Sequence, residues 1–282
     1  MKFDLFGKTF CLMAASLLAA SCTNDADTPD IPETKAAESF SRSVGTVVFE
    51  DDFNQSDSIP DVTKWSLCPP QSSAWNRYMS NSYAQAYVKD GKLVLIGEKV
   101  DGTYKTGGVQ SSGKFDFQYG KVEVNARFTK TAQGGWAAIW MMPKSSTPVY
   151  NGWPACGEID IMEQLNHDGY VYQTIHSHYK NTLGFNNPTP TVTAPINVGV
   201  FNTYGLEWTE DALVFSVNGV TTLTYPNLNL EDESTKKQWP FCSPYYLILN
   251  QAVGGSGTWP GPITDSQLPA IMEVDWVRVT QY

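Results

Sequence analysis

The chain has 282 residues, of which 41% are hydrophobic, 13% aromatic and only 17% charged, and its formal net charge is −10. That length can bury a sizeable core, as one domain or as a domain with a tail. The acidic balance argues against nucleic acid or a strongly anionic polymer as partner, since both reward a basic face, but it leaves neutral polymers open. Frequent Gly, Pro, Trp and Tyr suit an all-β, loop-rich extracellular domain better than a helical one.

The first 22 residues read as an export signal. Lys2 and Lys8 accompany "FCLMAASLLAAS", which is too short to span a membrane. The run ends at Ser21-Cys22, which resembles a bacterial lipobox, with Ala19 where Leu is usual and Leu18 adjacent. Cys22 is then the lipidated first residue of the mature chain; plain secretion is the alternative. A diacyl anchor would tether the protein to the surface of a Gram-negative outer membrane, facing outward or into the periplasm. Residues 23–45 are polar, with prolines and acids, and are expected to form a flexible tether. Outside the signal and the anchor, Cys68, Cys156 and Cys242 remain. They can form at most one disulfide, and buried free thiols are the simpler reading.

From Thr46 onward, short strand-like runs alternate with turn signals. In chain order they are "TVVFEDDF", "AYVKDGKLVLIGEK", "GKVEVNARF", "GWAAIWMM", "GEIDIME", "YVYQTIHSHY", "NTYGLEWTEDALVFSVNGVTTLTY", "YYLILNQAV" and "MEVDWVRVTQY". Asp90-Gly91 and Asn218-Gly219 mark tight hairpins. No long amphipathic helix and no repeat is present, and "NLEDESTKKQ" is at most a helical turn. The pattern predicts an all-β fold, a jelly-roll sandwich of two antiparallel sheets over residues 46–282. "GGWAAIWMMP" and "YLILNQAVGG" are apolar on both faces. They are expected to be central strands with one face on the core and the other in a covered cleft. Trp and Tyr in such a cleft suit stacking on sugar rings, although any one of the nine Trp can equally be core.

Three carboxylates stand together in "GEIDIMEQ". Strand side chains alternate, so Glu158 and Asp160 share a face while Glu163, five positions on, should not. A β-bulge at Ile161-Met162 would insert one residue and bring Glu163 back to that face. Glycosidic bonds are cut by paired carboxyls, one attacking the anomeric carbon and the other protonating the leaving oxygen. With Asp160 between the two glutamates, the three cannot all ionise at low cost, and their proton affinities separate. An edge strand with charges for solubility is the plainer alternative, but Ile159, Ile161 and Met162 are strongly apolar.

"GWPACGEIDIMEQ" resembles the active-site strand of glycoside hydrolase family 16, in the bulged form E-x-D-x-x-E of its laminarinase-like branch. "GKFDFQYGKVEVNARF", "GGWAAIWMMP", "TIHS", "YGLEWT", "LNQAVGG" with "WPG", and "VDWVRV" extend the resemblance over the whole domain. It implies a concave jelly roll and endo-acting hydrolysis of β-linked polysaccharides with retention. By position it implies Glu158 as nucleophile, Glu163 as acid/base and Asp160 as the assisting carboxylate. Trp136 and Trp140 match aromatic positions under the cleaved unit, Trp153 borders the cleft, and His176 stands beside the carboxylates. Asn250 and Gln251 are expected to face the same cleft. No cofactor is implied for catalysis; a structural Ca²⁺ on the convex side would have Asp275 as one ligand.

The chain departs from glucan-cleaving members at "SSAWNRYMSNSYAQAYVKDG", with Trp75, Asn76 and Arg77, and at "NHDGYVYQTIHSHYKNTLG". These segments resemble members that cut internal β-1,4-galactosyl linkages in mucin O-glycans and poly-N-acetyllactosamine, which sets that substrate ahead of β-1,3- or β-1,3-1,4-glucan. His176 and His178 share a strand face in this reading but lack a third ligand, so a hydrogen-bonding role is expected rather than zinc. A non-catalytic glycan-binding lipoprotein would not need both glutamates. The expected assembly is a monomer acting on a polysaccharide or glycoprotein glycan.

Overall fold

The computed structural model describes residues 45–144 and 148–282. The signal segment, Cys22 and the tether up to residue 44 lie outside the described residues. Among the latter, no helix is long and apolar enough to cross a membrane.

The strands are β1 (Thr46–Asp51), β2 (Ser66–Leu67), β3 (Ala86–Lys89), β4 (Lys92–Val100), β5 (Thr103–Gln110), β6 (Gly120–Lys130) and β7 (Gly135–Pro143). They continue with β8 (Glu158–Leu165), β9 (Tyr170–His176), β10 (Thr191–Pro195), β11 (Asn202–Trp208), β12 (Ala212–Val217), β13 (Val220–Pro226), β14 (Tyr245–Val253) and β15 (Ala270–Gln281). One short helix, α1 (His178–Asn181), follows β9, and two 3₁₀ turns cover Lys236–Gln238 and Asp265–Gln267.

Strand pairing is antiparallel throughout and builds a jelly roll of two packed sheets. The cleft sheet runs β10-β9-β8-β7-β14-β5, with β2 on β5. The back sheet runs β4-β15-β6-β11-β12-β13, with β1 on β15 and β3 on β4. β5 belongs to both, since Thr103–Thr106 pair with β4 and Gly107–Gln110 with β14. The expected hairpins are present: Asp90 and Gly91, like Asn218 and Gly219, have positive φ, as a two-residue primed turn requires.

The two-faced strands lie where their sequence demands. On β7, Ala137, Ile139 and Met141 enter the core between the sheets, where Leu247 and Leu249 of β14 join them. The alternate residues Ala138, Trp140, Ile248 and Ala252 form a second apolar cluster with Trp75, Trp136, Met142 and Tyr246. Each strand is thus apolar on both faces because both faces are covered, one by the back sheet and one by the loop carrying Trp75.

Cys68 and Cys156 are buried free thiols, as expected, whereas Cys242 is an exposed one.

Candidate active site

The parity problem of "GEIDIMEQ" is resolved by a bulge on β8. Ile139 of β7 pairs with Met162 and Trp140 with Asp160, so Ile161 is an extra residue; the pairing with β9 also shifts between Asp160 and Glu163. Ile161 and Met162 are adjacent, yet both are fully buried in the core. That placement returns Glu163 to the face of Glu158 and Asp160, and all three line one cavity with Trp75, Trp136, Ala138, Trp140 and Asn250. Entry to β8 is equally constrained. Gly157 has φ +84°, and a Cβ there would lie 2.4 Å from the Tyr245 hydroxyl, so only glycine fits directly before Glu158.

Each carboxylate has its own partners. The Trp136 indole N–H donates to Glu163 Oε1 at 2.8 Å, and that of Trp153 to Glu158 Oε2 at 2.9 Å. Trp140 donates to Asn250 Oδ1 at 2.8 Å, which fixes the amide beside the row. Glu158 and Asp160 share a hydrogen bond, so one of them carries its proton. His176 Nε2 stands 3.2 Å from Asp160 Oδ2 and 3.8 Å from Glu158 Oε1.

The histidine tautomer follows from its other neighbour. Asn181 Oδ1 accepts the Ser177 backbone N–H at 3.1 Å, so its amide nitrogen faces His176 Nδ1, at 2.9 Å. Nδ1 therefore accepts and Nε2 carries the hydrogen toward the acids. Burial lowers the His176 pKa, which keeps the ring neutral.

Burial dominates the electrostatics and raises all three acids. Asp160 is pushed up to about 7, with Lys180 as the main opposing influence. Glu158 is pushed up to about 8 by burial and by the Asp160 charge. Glu163 is held well above the usual carboxylate range, by burial first and then by the two other acids. All three acids of the row are thus held in the protonated form to higher pH than free carboxyls.

Not all expected residues meet here. Trp75 packs edge-to-face on Trp140 at 4.8 Å, inside the cavity. Trp153 borders the row and is 56% exposed. Asn76 is buried and donates to Gln71 Oε1, and Arg77 lines a different cavity. Gln251 corrects an expectation: it follows Asn250 on a regular strand, so it points to the opposite face and packs against Gly97 of β4. His178 likewise does not share a strand face with His176, because the strand ends and α1 begins. Asp275 occupies a bulge of β15 between Val274 and Trp276.

Tyr172, Trp259 and Asn181 were not singled out from sequence. Trp259, half exposed, meets Tyr172 at 4.8 Å and Trp136 at 6.0 Å, forming an aromatic rim beside Glu163. The "WPG" after a glycine-rich turn was the available signal for Trp259. Asn181 had none, because its role depends on a helix that the strand-like pattern hides.

Glu158, Asp160 and His176 also hold donor atoms within 4.8 Å of one another, the one such group of three among the described residues. Asp275 is in no such group.

An aromatic cleft over paired carboxyls of raised proton affinity, on a two-sheet jelly roll, defines a glycoside hydrolase. The profile of glycosyl hydrolases family 16 matches residues 73–278, and the chain belongs to that family. It is 40% identical to the keratan-sulfate endo-1,4-beta-galactosidase of Sphingobacterium multivorum, over 99% of this chain and 68% of that protein. The beta-glucanase of Rhodothermus marinus is 31% identical, over 84% and 85%. A solved structure described as "Prominent members of the human gut microbiota express endo-acting O-glycanases to initiate mucin breakdown" is 38% identical, with a TM-score of 0.73, covering 83% of this chain and 99% of that one.

Proposed function

We propose that the protein is a retaining endo-β-glycosidase that cleaves internal β-1,4-galactosyl linkages of poly-N-acetyllactosamine and mucin-type O-glycans. The observation that carries the mechanism is the bulge at Ile161, which sets Glu158 and Glu163 on one face with Asp160 between them. Glu158 is the nucleophile. Its Oε2 is oriented by Trp153, and the shared proton with Asp160 can be handed to Asp160 as Glu158 attacks. Glu163, whose carboxyl burial holds well above the usual carboxylate range, is the acid that protonates the leaving oxygen and then the base that activates water. His176 and Asn181 hold Asp160 in place. Trp136, Trp140 and Trp75 form the platform on which the sugar stacks.

The substrate preference rests on the likeness to the keratan-sulfate endo-galactosidase and to the O-glycanase structure. A glucanase reading is favoured by the likeness to the Rhodothermus marinus enzyme. A panel of poly-N-acetyllactosamine, mucin glycans, laminarin and mixed-linkage glucan, with products resolved by chromatography, separates the two. Galactose at the new reducing ends is the expected result; glucan cleavage alone would replace the substrate and leave the mechanism.

The proposal extends to a monomer anchored in the outer membrane through a diacylated Cys22. Palmitate labelling that survives Cys22→Ala would overturn the anchor. A structural Ca²⁺ at Asp275 would take its remaining ligands from backbone carbonyls, and a melting temperature unchanged by chelation would remove it.

A further inference from the structure

The two cleft tryptophans of β7, Trp136 and Trp140, are four residues apart and so lie on one face of the strand. Each is met edge-on by a tryptophan from a loop. Trp75 meets Trp140 at 4.8 Å and 86°, and Trp259 meets Trp136 at 6.0 Å and 88°. The indole that Trp259 meets is the one that donates to Glu163, so the Trp259 loop forms the wall beside that acid. Its sequence works against a fixed place there. "GGSGTWPG", Gly254 to Gly261, has four glycines in eight residues, and glycine loses more backbone freedom on ordering than any other residue.

The loop closes on itself. Gly255 N–H donates to the Gly261 carbonyl at 2.8 Å, and Gly261 N–H to the Thr258 carbonyl at 3.0 Å. Thr258 donates twice to the Gly255 carbonyl, from its N–H at 3.1 Å and from its hydroxyl at 2.7 Å. These bonds fix the shape of the loop but not its place. Place is set at Gly254, whose N–H donates to the Gly134 carbonyl at 2.7 Å and whose carbonyl accepts from Arg77 Nη2 at 2.6 Å. The guanidinium also lies against the next residue. A Cβ on Gly255, which has φ +137°, would stand 2.5 Å from Arg77 Nη2, so only glycine admits this approach. Arg77 follows Trp75 by two residues in its loop. One side chain thus joins the two loops that supply the edge-on tryptophans.

We propose that Arg77 is a positioning residue: by holding the Gly254 carbonyl it sets the Trp259 wall beside Glu163 and, through that wall, the binding of glycan there. This rests on the glycosidase reading above. Arginine suits the task. A hydrogen bond from a charged donor is shorter and stronger than a neutral one, and a planar guanidinium can lie flat on a glycine peptide where an ammonium cannot. The Tyr78 ring, 4.8 Å from Arg77 Cζ, restrains the guanidinium further.

Two readouts test this, and one needs no substrate. Indoles held in a fixed mutual geometry give near-ultraviolet circular dichroism that mobile ones lose. Arg77→Met, which keeps the stem and removes the donors, should lose most of the signal that Trp259→Phe removes, and should change little more in a Trp259→Phe background. The second readout is kinetic, on the glycan of the panel above that the wild type cleaves. Trp259→Ala and Arg77→Met should each raise KM about tenfold with kcat within about twofold, and Arg77→Met should add nothing to Trp259→Ala. Arg77→Lys, which keeps the charge and a donor, should restore part of both signals, and the same cycle with it decides the matter if Arg77→Met does not fold. A merely structural role would lower the melting temperature and leave the two substitutions additive. An unchanged spectrum in Arg77→Met, a KM unmoved by Trp259→Ala, or an Arg77→Met effect of equal size with and without Trp259 would overturn the proposal. A wild type that cleaves no glycan of the panel would defeat the glycosidase reading instead, and the spectral test of the loop would still stand.

Discussion

The two ends of the carboxylate row on β8 have the same chemistry and different surroundings. Glu158 stands at an open end, with half-exposed Trp153 above it, His176 beside it and a proton shared with Asp160. Glu163 stands at a closed end, 7% exposed and bonded only to the Trp136 indole, below the rim of Tyr172 and Trp259. Identical side chains are thus both raised by desolvation and by the Asp160 charge, while differing in exposure and in the indole that donates to each.

Removing either end is expected to have the largest effect. Glu158→Gln and Glu163→Gln should each lower kcat on the order of 10⁴-fold, measured as reducing ends released, and activity near wild type in either would break the assignment. Asp160→Asn should cost about 10²-fold, because Glu158 then keeps a hydrogen-bond partner but loses the site that takes its proton. The indole donors sharpen the comparison further. Each N–H favours the ionised form of its carboxylate, so its loss raises that pKa. Trp153→Phe should therefore move the acid limb of the kcat/KM profile upward, and Trp136→Phe should move the alkaline limb upward. Movement of the same limb by both would mean that the two ends are not distinct. Asn181→Leu is expected to have the smallest effect, a loss of a few-fold in kcat/KM with a displaced acid limb, since it frees the His176 tautomer without touching the acids.

The row also leaves a mark on stability. All three acids are raised in the folded chain above their unfolded values, so between those values the folded state holds more protons than the unfolded one. Stability therefore falls as pH rises through that window, from about 4 for free carboxyls to about 8 for Glu158. Glu163→Gln, which can no longer ionise, should flatten the fall in melting temperature over that range. An unchanged slope would show that Glu163 is not the raised group.

Much of this was legible in the sequence because the signals were periodic. Alternating runs gave the strands, Asp90-Gly91 and Asn218-Gly219 gave hairpins, and a five-residue spacing between glutamates among apolar residues demanded a bulge. Gln251 was misplaced because a motif read as a unit overrode the alternation that sends it to the opposite face from Asn250. Trp75, Asn76 and Arg77 stand in one run of sequence yet divide between the cleft, a buried position and a second cavity, since a loop has no period from which facing can be read. Asn181 was invisible because its contact with His176 is made by the turn of α1, in a segment whose aromatic pattern suggested continued strand.

The central claim is that Glu158 attacks the anomeric carbon while Glu163 protonates the leaving oxygen, and the most direct measurement is the configuration of the first product. Hydrolysis of the cleavable glycan followed by ¹H NMR from the first minutes should show the β-anomer at the new reducing end before mutarotation. An initial α-anomer would mean inversion by direct attack of water, and Glu158 could not be the nucleophile.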